Sequence, residues 1–434
     1  MFKHSLMAAT AMALVSPIAA QAQTEIQWWH AMGGRLGELV EEIAANFNAT
    51  QSDYVVVPSF RGTYAETMNG AIAAFRAGEQ PHIVQVFEVG TGTMMAAEGA
   101  VYPVYKLMED AGVDFDLSAY LPAVVSYYTD TNGNLLSLPF NSSTPVLWYN
   151  ATALEAAGIE VPTTWDEVEE AARALKANGM EKPFSFGWQS WTQIENFSAW
   201  HNMEMGTKGN GFGGLDTEFV FNNDAVVNHI ERIARMGDEG LFAYGGRQGA
   251  SQDMFKNGET GLWINSSAYY GGFKSTITDF EFGQTMLPLE TSIADSAQNS
   301  IIGGATLWVL AGHEQPEYTC VAEFFQFLSQ PEQQAFWHQA TGYVPITTAA
   351  YELSKEQGFY ETDPMTDVAI QQLSLNAPTP ASKGIRFGNF VQVRDIINEE
   401  LEAVWSGQKE PRAALDDAVA RGNAELRRFE AAND

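Results

Sequence analysis

The chain has 434 residues, with 54 acidic against 23 basic side chains, a net charge of −31 and one cysteine. That acidic excess argues against nucleic acid and against anionic membrane surfaces as partners. The lone Cys320 excludes an intrachain disulfide and reads as a buried small hydrophobe.

Lys3, the apolar alanine-rich run over 6–20 and the small-residue site Ala20-Gln21-Ala22 read as an export signal occupying 1–22. The run is too short to span a bilayer, and no cysteine follows it to carry a lipid anchor. The mature protein is expected in the periplasm of a Gram-negative cell. Its length, about 410 residues, calls for at least two lobes, since single cores stop growing well below that size.

The mature start alternates strand and helix. Residues 25–30 form an apolar run, Leu36, Leu39, Val40, Ile43 and Phe47 recur at helical spacing, and 54–60 is β-branched. A helix over 64–76 stopped by Gly78 and a strand over 82–88 complete an α/β pattern, from which a mainly parallel sheet is expected. Asp130-Thr131-Asn132-Gly133-Asn134 superficially suggests a calcium loop but lacks the closing ligands, so a hairpin turn is expected. In 140–150, Asn141, Ser142 and Ser143 stand at the mouth of an apolar strand, as in a strand crossing between lobes with its polar end facing a cleft. Thr164-Trp165-Asp166-Glu167 is a capping box, and Ser329-Gln330-Pro331-Glu332 opens another helix. The Pro-rich stretch 376–383 reads as a loop before C-terminal helices.

Several strings together resemble the bacterial extracellular solute-binding proteins. They are the crossing at 140–150, Met254-Phe255-Lys256-Asn257-Gly258 with Gly261-Leu262-Trp263, the segment 302–309, and 324–345 ending in Gly342-Tyr343-Val344-Pro345. Glu88-Val89-Gly90-Thr91, Gly187-Trp188-Gln189-Ser190-Trp191 and Phe387-Gly388-Asn389 make the likeness strongest to the glycerol-3-phosphate-binding proteins of ABC importers. The resemblance implies two α/β lobes closing over ligand about a three-segment hinge. By analogy, 23–138 with 303–339 form one lobe and 139–302 with 340–434 the other. It further implies a monomeric receptor that docks on an inner-membrane permease and its ATPase, with no metal or organic cofactor.

Eight residues are candidates for ligand contact. Arg394 shares an apolar stripe with Phe390, Ile397 and Leu401, so its guanidinium needs an anionic partner. A salt bridge to a carboxylate would serve; the resemblance favours a phosphate, which the arginine fork matches. Ser143 and Ser266, each in an Asn-Ser-Ser triplet, are either phosphate donors or helix N-caps. Gly304 permits close backbone approach to a ligand or relieves a crowded crossing, and Tyr343 is a phenolic donor or simple core. Tyr64 and Glu88 are candidates for a glycerol end, where a strand-end carboxylate would accept two vicinal hydroxyl protons; a solvated glutamate is the alternative. Trp188, with Trp191, would wall the carbon chain or face a quaternary ammonium, or be one exposed ring beside one buried.

An enzyme is disfavoured. The histidines are scattered singly, there is no G-x-S-x-G elbow and no phosphate-loop lysine, and no carboxylate pair stands out. The nearer rival is the same fold binding a neutral sugar, whose pocket would favour Asp, Glu and Trp over Arg394 and the serine triplets.

Overall fold

The computed structural model describes residues 23–97 and 99–433; the export signal expected over 1–22 lies outside them. Ten strands, β1 (Thr24–His30), β2 (Tyr54–Phe60), β3 (Ile83–Phe87), β4 (Val101–Tyr102), β5 (Leu138–Ser143), β6 (Pro145–Asn150), β7 (Phe184–Phe186), β8 (Leu262–Ser266), β9 (Phe282–Thr285) and β10 (Gly303–Leu310), form two helix-flanked sheets. The first runs β2-β1-β3-β10-β4 with β5 also paired to β10, and the second runs β7-β8-β6-β9. The molecule is therefore the expected two-lobed α/β structure, but its sheets are mixed rather than mainly parallel. Only β1–β2, β1–β3 and β7–β8 are parallel. The returning strand β10 runs antiparallel to β3, β4 and β5, and β6 runs antiparallel to β8 and β9. Because β10 re-enters the first sheet beside the end of β3, where Ala305 pairs Phe87, it runs back along that strand.

The sheets divide at Thr144, between β5 and β6. Residues 139–143, assigned from sequence to the second lobe, hydrogen-bond into the first sheet. The helix Pro331–Thr341 runs through the other expected boundary. Three segments meet at the junction. The Thr144 and Ser300 hydroxyls bond at 2.5 Å, and Val344 N–H donates to the Ser142 carbonyl at 2.8 Å. Gln372 then pins Thr144 Oγ1 and the Pro145 carbonyl at 3.0 and 2.7 Å.

Local signals act as their chemistry requires. Thr164 and Glu167 form the capping box of the helix Trp165–Ala177, and Asp130 Oδ1 accepts from Asn132 and Asn134 N–H groups in a hairpin turn. The Ser329 string does open a helix, but Gln330 is its N-cap and Pro331 its first residue. Ser329 Oγ instead donates back to the Phe325 carbonyl. Cys320 is free and buried.

One histidine group is gathered by the fold that the sequence scattered: His82, His313 and Glu317. His82 Nδ1 accepts the Gln27 N–H at 3.0 Å, which leaves the proton of the neutral ring on Nε2, the atom facing Glu317 at 3.4 Å. His313 Nε2 likewise sits 3.1 Å from the Pro81 carbonyl and donates to it. The arrangement ties the start of β3 to the turn after β10; His82, with its Nε2 protonated, offers that atom as a donor and not as a metal ligand.

Three buried histidines give a pH prediction. Burial lowers His30 to about 4, burial with the His313 ring lowers His82 to about 4, and burial lowers His338 to about 4 against its bond with the Tyr343 carbonyl. Unfolded, each ionises near 6.5, so below that pH the unfolded chain binds more protons. Their contribution is complete above pH 6.5 and is lost as pH falls towards 4, by roughly 3 kcal/mol per ring. The urea midpoint followed by tryptophan fluorescence is expected to be clearly lower at pH 4.5 than at pH 7.5; equal midpoints would contradict the neutral assignment.

Candidate ligand site

All eight sequence candidates line one cavity of about 500 Å³ between the two sheets. Ala31 to Gly33 and the first turn of the helix Gly34–Asn48 also line it, and Trp191 and Tyr269 complete its aromatic wall.

At one end lies a buried charge cluster. Glu88 begins the 3₁₀ turn that follows β3, and Arg394 lies one turn into the helix Phe390–Trp405, where Phe390, Ile397 and Leu401 anchor the apolar stripe. Arg394 Nε donates to Glu195 Oε1 at 2.7 Å, and Nη2 to Glu195 Oε2 and Glu88 Oε1, both at 2.6 Å. The side chains of Arg394, Glu88 and Glu195 are 8, 5 and 0 % exposed. Burial would depress Arg394, yet the two carboxylates hold it above its ordinary value. For Glu88, burial raises the carboxyl, Arg394 opposes this and Glu195 adds to it.

This corrects the expectation for Arg394. Its Nε and Nη2 are held by two carboxylates, so the anionic partner that its burial demands comes from the protein itself, and Nη1 lies outside those bonds. Glu88 in turn is buried and ion-paired, not a solvated strand end.

The lining also carries the hydroxyls of Tyr64, Ser143, Ser266 and Tyr343, and a buried relay lies behind Tyr64. The Ala31 N–H donates to Gln85 Oε1 at 2.7 Å, Gln85 Nε2 to Asn141 Oδ1 at 2.7 Å, and Asn141 Nδ2 to Tyr64 Oη at 2.9 Å. Tyr64 stacks on Phe87 with an interplanar angle of 8°, and Tyr343 stacks on Trp337 at 11°. Burial raises both phenols, with Tyr64 and Tyr343 in mutual hydrogen-bonding reach. Both therefore keep their protons at neutral pH and serve as donors.

The serines differ. Ser266 accepts the Ala268 N–H at 3.1 Å and so is an N-cap that also faces the cavity. Ser143 is no cap: it sits in β5 opposite Gly303. Its strand neighbour Ser142 points away into the interior, where its hydroxyl is buried.

Gly304 has φ +97°, and a Cβ there would fall 1.8 Å from the Asn141 carbonyl oxygen, so the crowded-crossing reading holds while the residue also borders the cavity. Trp188 adopts φ +48°, its N–H bonded to the Gln248 carbonyl at 2.8 Å. The chain then widens into the π-helical turn Trp191–Glu195, a feature that often marks functional segments. Trp188 is half-buried and Trp191 buried, and both border the cavity.

Glu195 escaped the sequence reading. It stands 199 positions from Arg394, and the only local signal is a carboxylate among Ile194, Asn196 and Phe197.

The sequence profile of the bacterial extracellular solute-binding proteins matches residues 42–366. The chain is 47% identical over 434 residues to the sn-glycerol-3-phosphate-binding periplasmic protein UgpB of Yersinia pseudotuberculosis, covering 99% of this chain and 98% of that one. It is 47% identical over 426 residues to UgpB of Escherichia coli O1:K1, covering 97% of each. Among solved structures, UgpB from Mycobacterium tuberculosis in complex with glycerophosphocholine superposes with a TM-score of 0.77 at 20% identity, over 94% of this chain and 99% of that one. Maltose-bound MalE3 of T. maritima gives 0.75 at 18% identity, over 92% and 99%. At such identities the structures speak for the fold alone.

Proposed function

The chain belongs to the bacterial extracellular solute-binding proteins, and we propose that it is the periplasmic receptor of an ABC importer, capturing sn-glycerol 3-phosphate or its diesters. It acts as a monomer and delivers ligand to an inner-membrane permease and ATPase. The carrying observation is the convergence of Tyr64, Glu88, Ser143, Trp188, Ser266, Gly304, Tyr343 and Arg394 on one cavity.

The cavity's polarity orients the ligand. Because Glu195 and Glu88 neutralise Arg394, the phosphate belongs at the neutral donors: the hydroxyls of Ser143, Ser266 and Tyr343 and the Gly304 backbone. Hydrogen bonds to a charged acceptor net about 1.5–3 kcal/mol each. Three or four of them, less the cost of closure, suffice for micromolar binding, which needs about 8 kcal/mol. The glycerol hydroxyls then face Glu88, whose Oε2 is outside the bond to Arg394, and Trp188 and Trp191 flank the carbon chain. A misplaced phosphate beside Glu88 would be repelled, which fixes direction.

The lining residues include neither His nor Cys, and Glu88 is the sole carboxylate among them. That set supports capture and not hydrolysis. A second reading, capture of a neutral sugar, draws on the neutralised Arg394 and the aromatic wall.

Calorimetric titration with glycerol 3-phosphate, glycerophosphocholine and maltose separates the readings. Micromolar or tighter binding of at least one phosphate compound is expected, and no heat with maltose. The reverse pattern would replace this reading with the sugar receptor.

A further inference from the structure

The cavity wall does not include Glu195, yet both its oxygens are committed to the one guanidinium at the diol end. Oε1 and Oε2 take Nε and Nη2 of Arg394 in a fork, and Ser190 Oγ donates to Oε1 at 2.9 Å. Paired N–H···O bonds of this kind fix the plane of a guanidinium as well as its position. With that plane fixed, Nη2 reaches Glu88 Oε1, and no hydrogen bond to another described residue engages Arg394 Nη1 or Glu88 Oε2. The π-helical turn that ends at Glu195 begins at Trp191, a wall residue. One local distortion thus sets both the ring and the carboxylate behind the arginine.

Resting on the function proposed above, we propose that Glu195 is a positioning residue for ligand discrimination. By clamping Arg394 it presents Arg394 Nη1 and Glu88 Oε2 as a donor and acceptor pair that reads two vicinal hydroxyls. Glu195 touches no ligand. Its effect reaches the diol through Arg394 and Glu88 alone and leaves the phosphate donors in place.

The test compares glycerol 3-phosphate with 3-hydroxypropyl phosphate, which lacks the central hydroxyl, by titration into the parent protein and Glu195→Gln. The parent is expected to favour the glycerol compound at least tenfold, since a site built to bond a hydroxyl leaves buried groups unpaired when it is missing. In Glu195→Gln the amide can accept at one atom only, and the preference is expected to fall to within threefold. Equal weakening of both ligands, or no change in either, leaves the ratio intact and overturns the proposal while the receptor reading stands. A parent that does not discriminate also overturns it. A parent that binds neither phosphate compound overturns the receptor reading and this inference with it. Should Glu195→Gln fail to fold, Ser190→Ala, which removes the hydroxyl bonded to Glu195, is expected to narrow the same ratio two- to threefold; an unchanged ratio there overturns the proposal equally.

Discussion

Replacing Arg394 with alanine is expected to destabilise the fold by about 3–5 kcal/mol at neutral pH, because it strands two buried carboxylates without their cation. From the sequence, a carboxylate or a ligand phosphate would serve equally as the partner of this arginine. With Glu195 and Glu88 both within 2.6 Å of Nη2, the residue is structural as well. The pH dependence carries the diagnosis. Glu88 is already raised by burial and by Glu195, with Arg394 opposing, so deleting the arginine raises it further. The folded variant then holds a proton that the unfolded chain gives up above the ordinary carboxylate range. Its deficit relative to the parent should therefore shrink as pH falls from 8 towards 5. Urea unfolding of both proteins across that range measures it. A deficit below about 1 kcal/mol that is flat with pH would mean the carboxylates are hydrated.

Gly304→Ala is expected to be comparably severe, for a backbone reason. At φ +97° an L side chain is strained, costing about 1–3 kcal/mol. The added Cβ would also overlap the Asn141 carbonyl, 1.8 Å away, in the strand pair that carries Ser143. Backbone cannot step aside as a side chain can, so a total loss of roughly 2–4 kcal/mol and a loss of ligand binding are expected. Gly303→Ala is the informative neighbour. Its Cβ meets the Trp191 ring at 2.4 Å and not backbone. It should displace that ring into the cavity, weakening binding with a stability loss of only about 1–2 kcal/mol. If both variants lose stability equally, the distinction between backbone and side-chain crowding fails.

Part of the candidate site was legible where a local rule is broken, while Tyr64 and Tyr343 carry no such local signal. Arg394 interrupts an apolar stripe, Glu88 ends an apolar strand, and Asn141 to Ser143 put polar groups where burial is expected. Such exceptions need compensation, and a shared cavity or a buried partner supplies it. The partner itself was hidden. Nothing at Arg394 distinguishes a phosphate from Glu195, since both satisfy a guanidinium and the sequence separation conceals which is near. For the same reason Ser143 and Ser266 looked alike. Only their strand and turn contexts show that one lies in a ladder and the other caps a 3₁₀ turn.

By itself the sequence determined the α/β alternation, the helix starts and stops, the crossing at 140–150 and the set of residues with unmet chemical demands. These follow from short-range periodicity and from the cost of burying polar groups. The tertiary structure decided how those demands are met: the direction of β10, the division of the sheets at Thr144, and the neutralisation of Arg394 by Glu195 and Glu88. Strand direction and ion pairing depend on which distant segments meet, and chain separation carries no record of that.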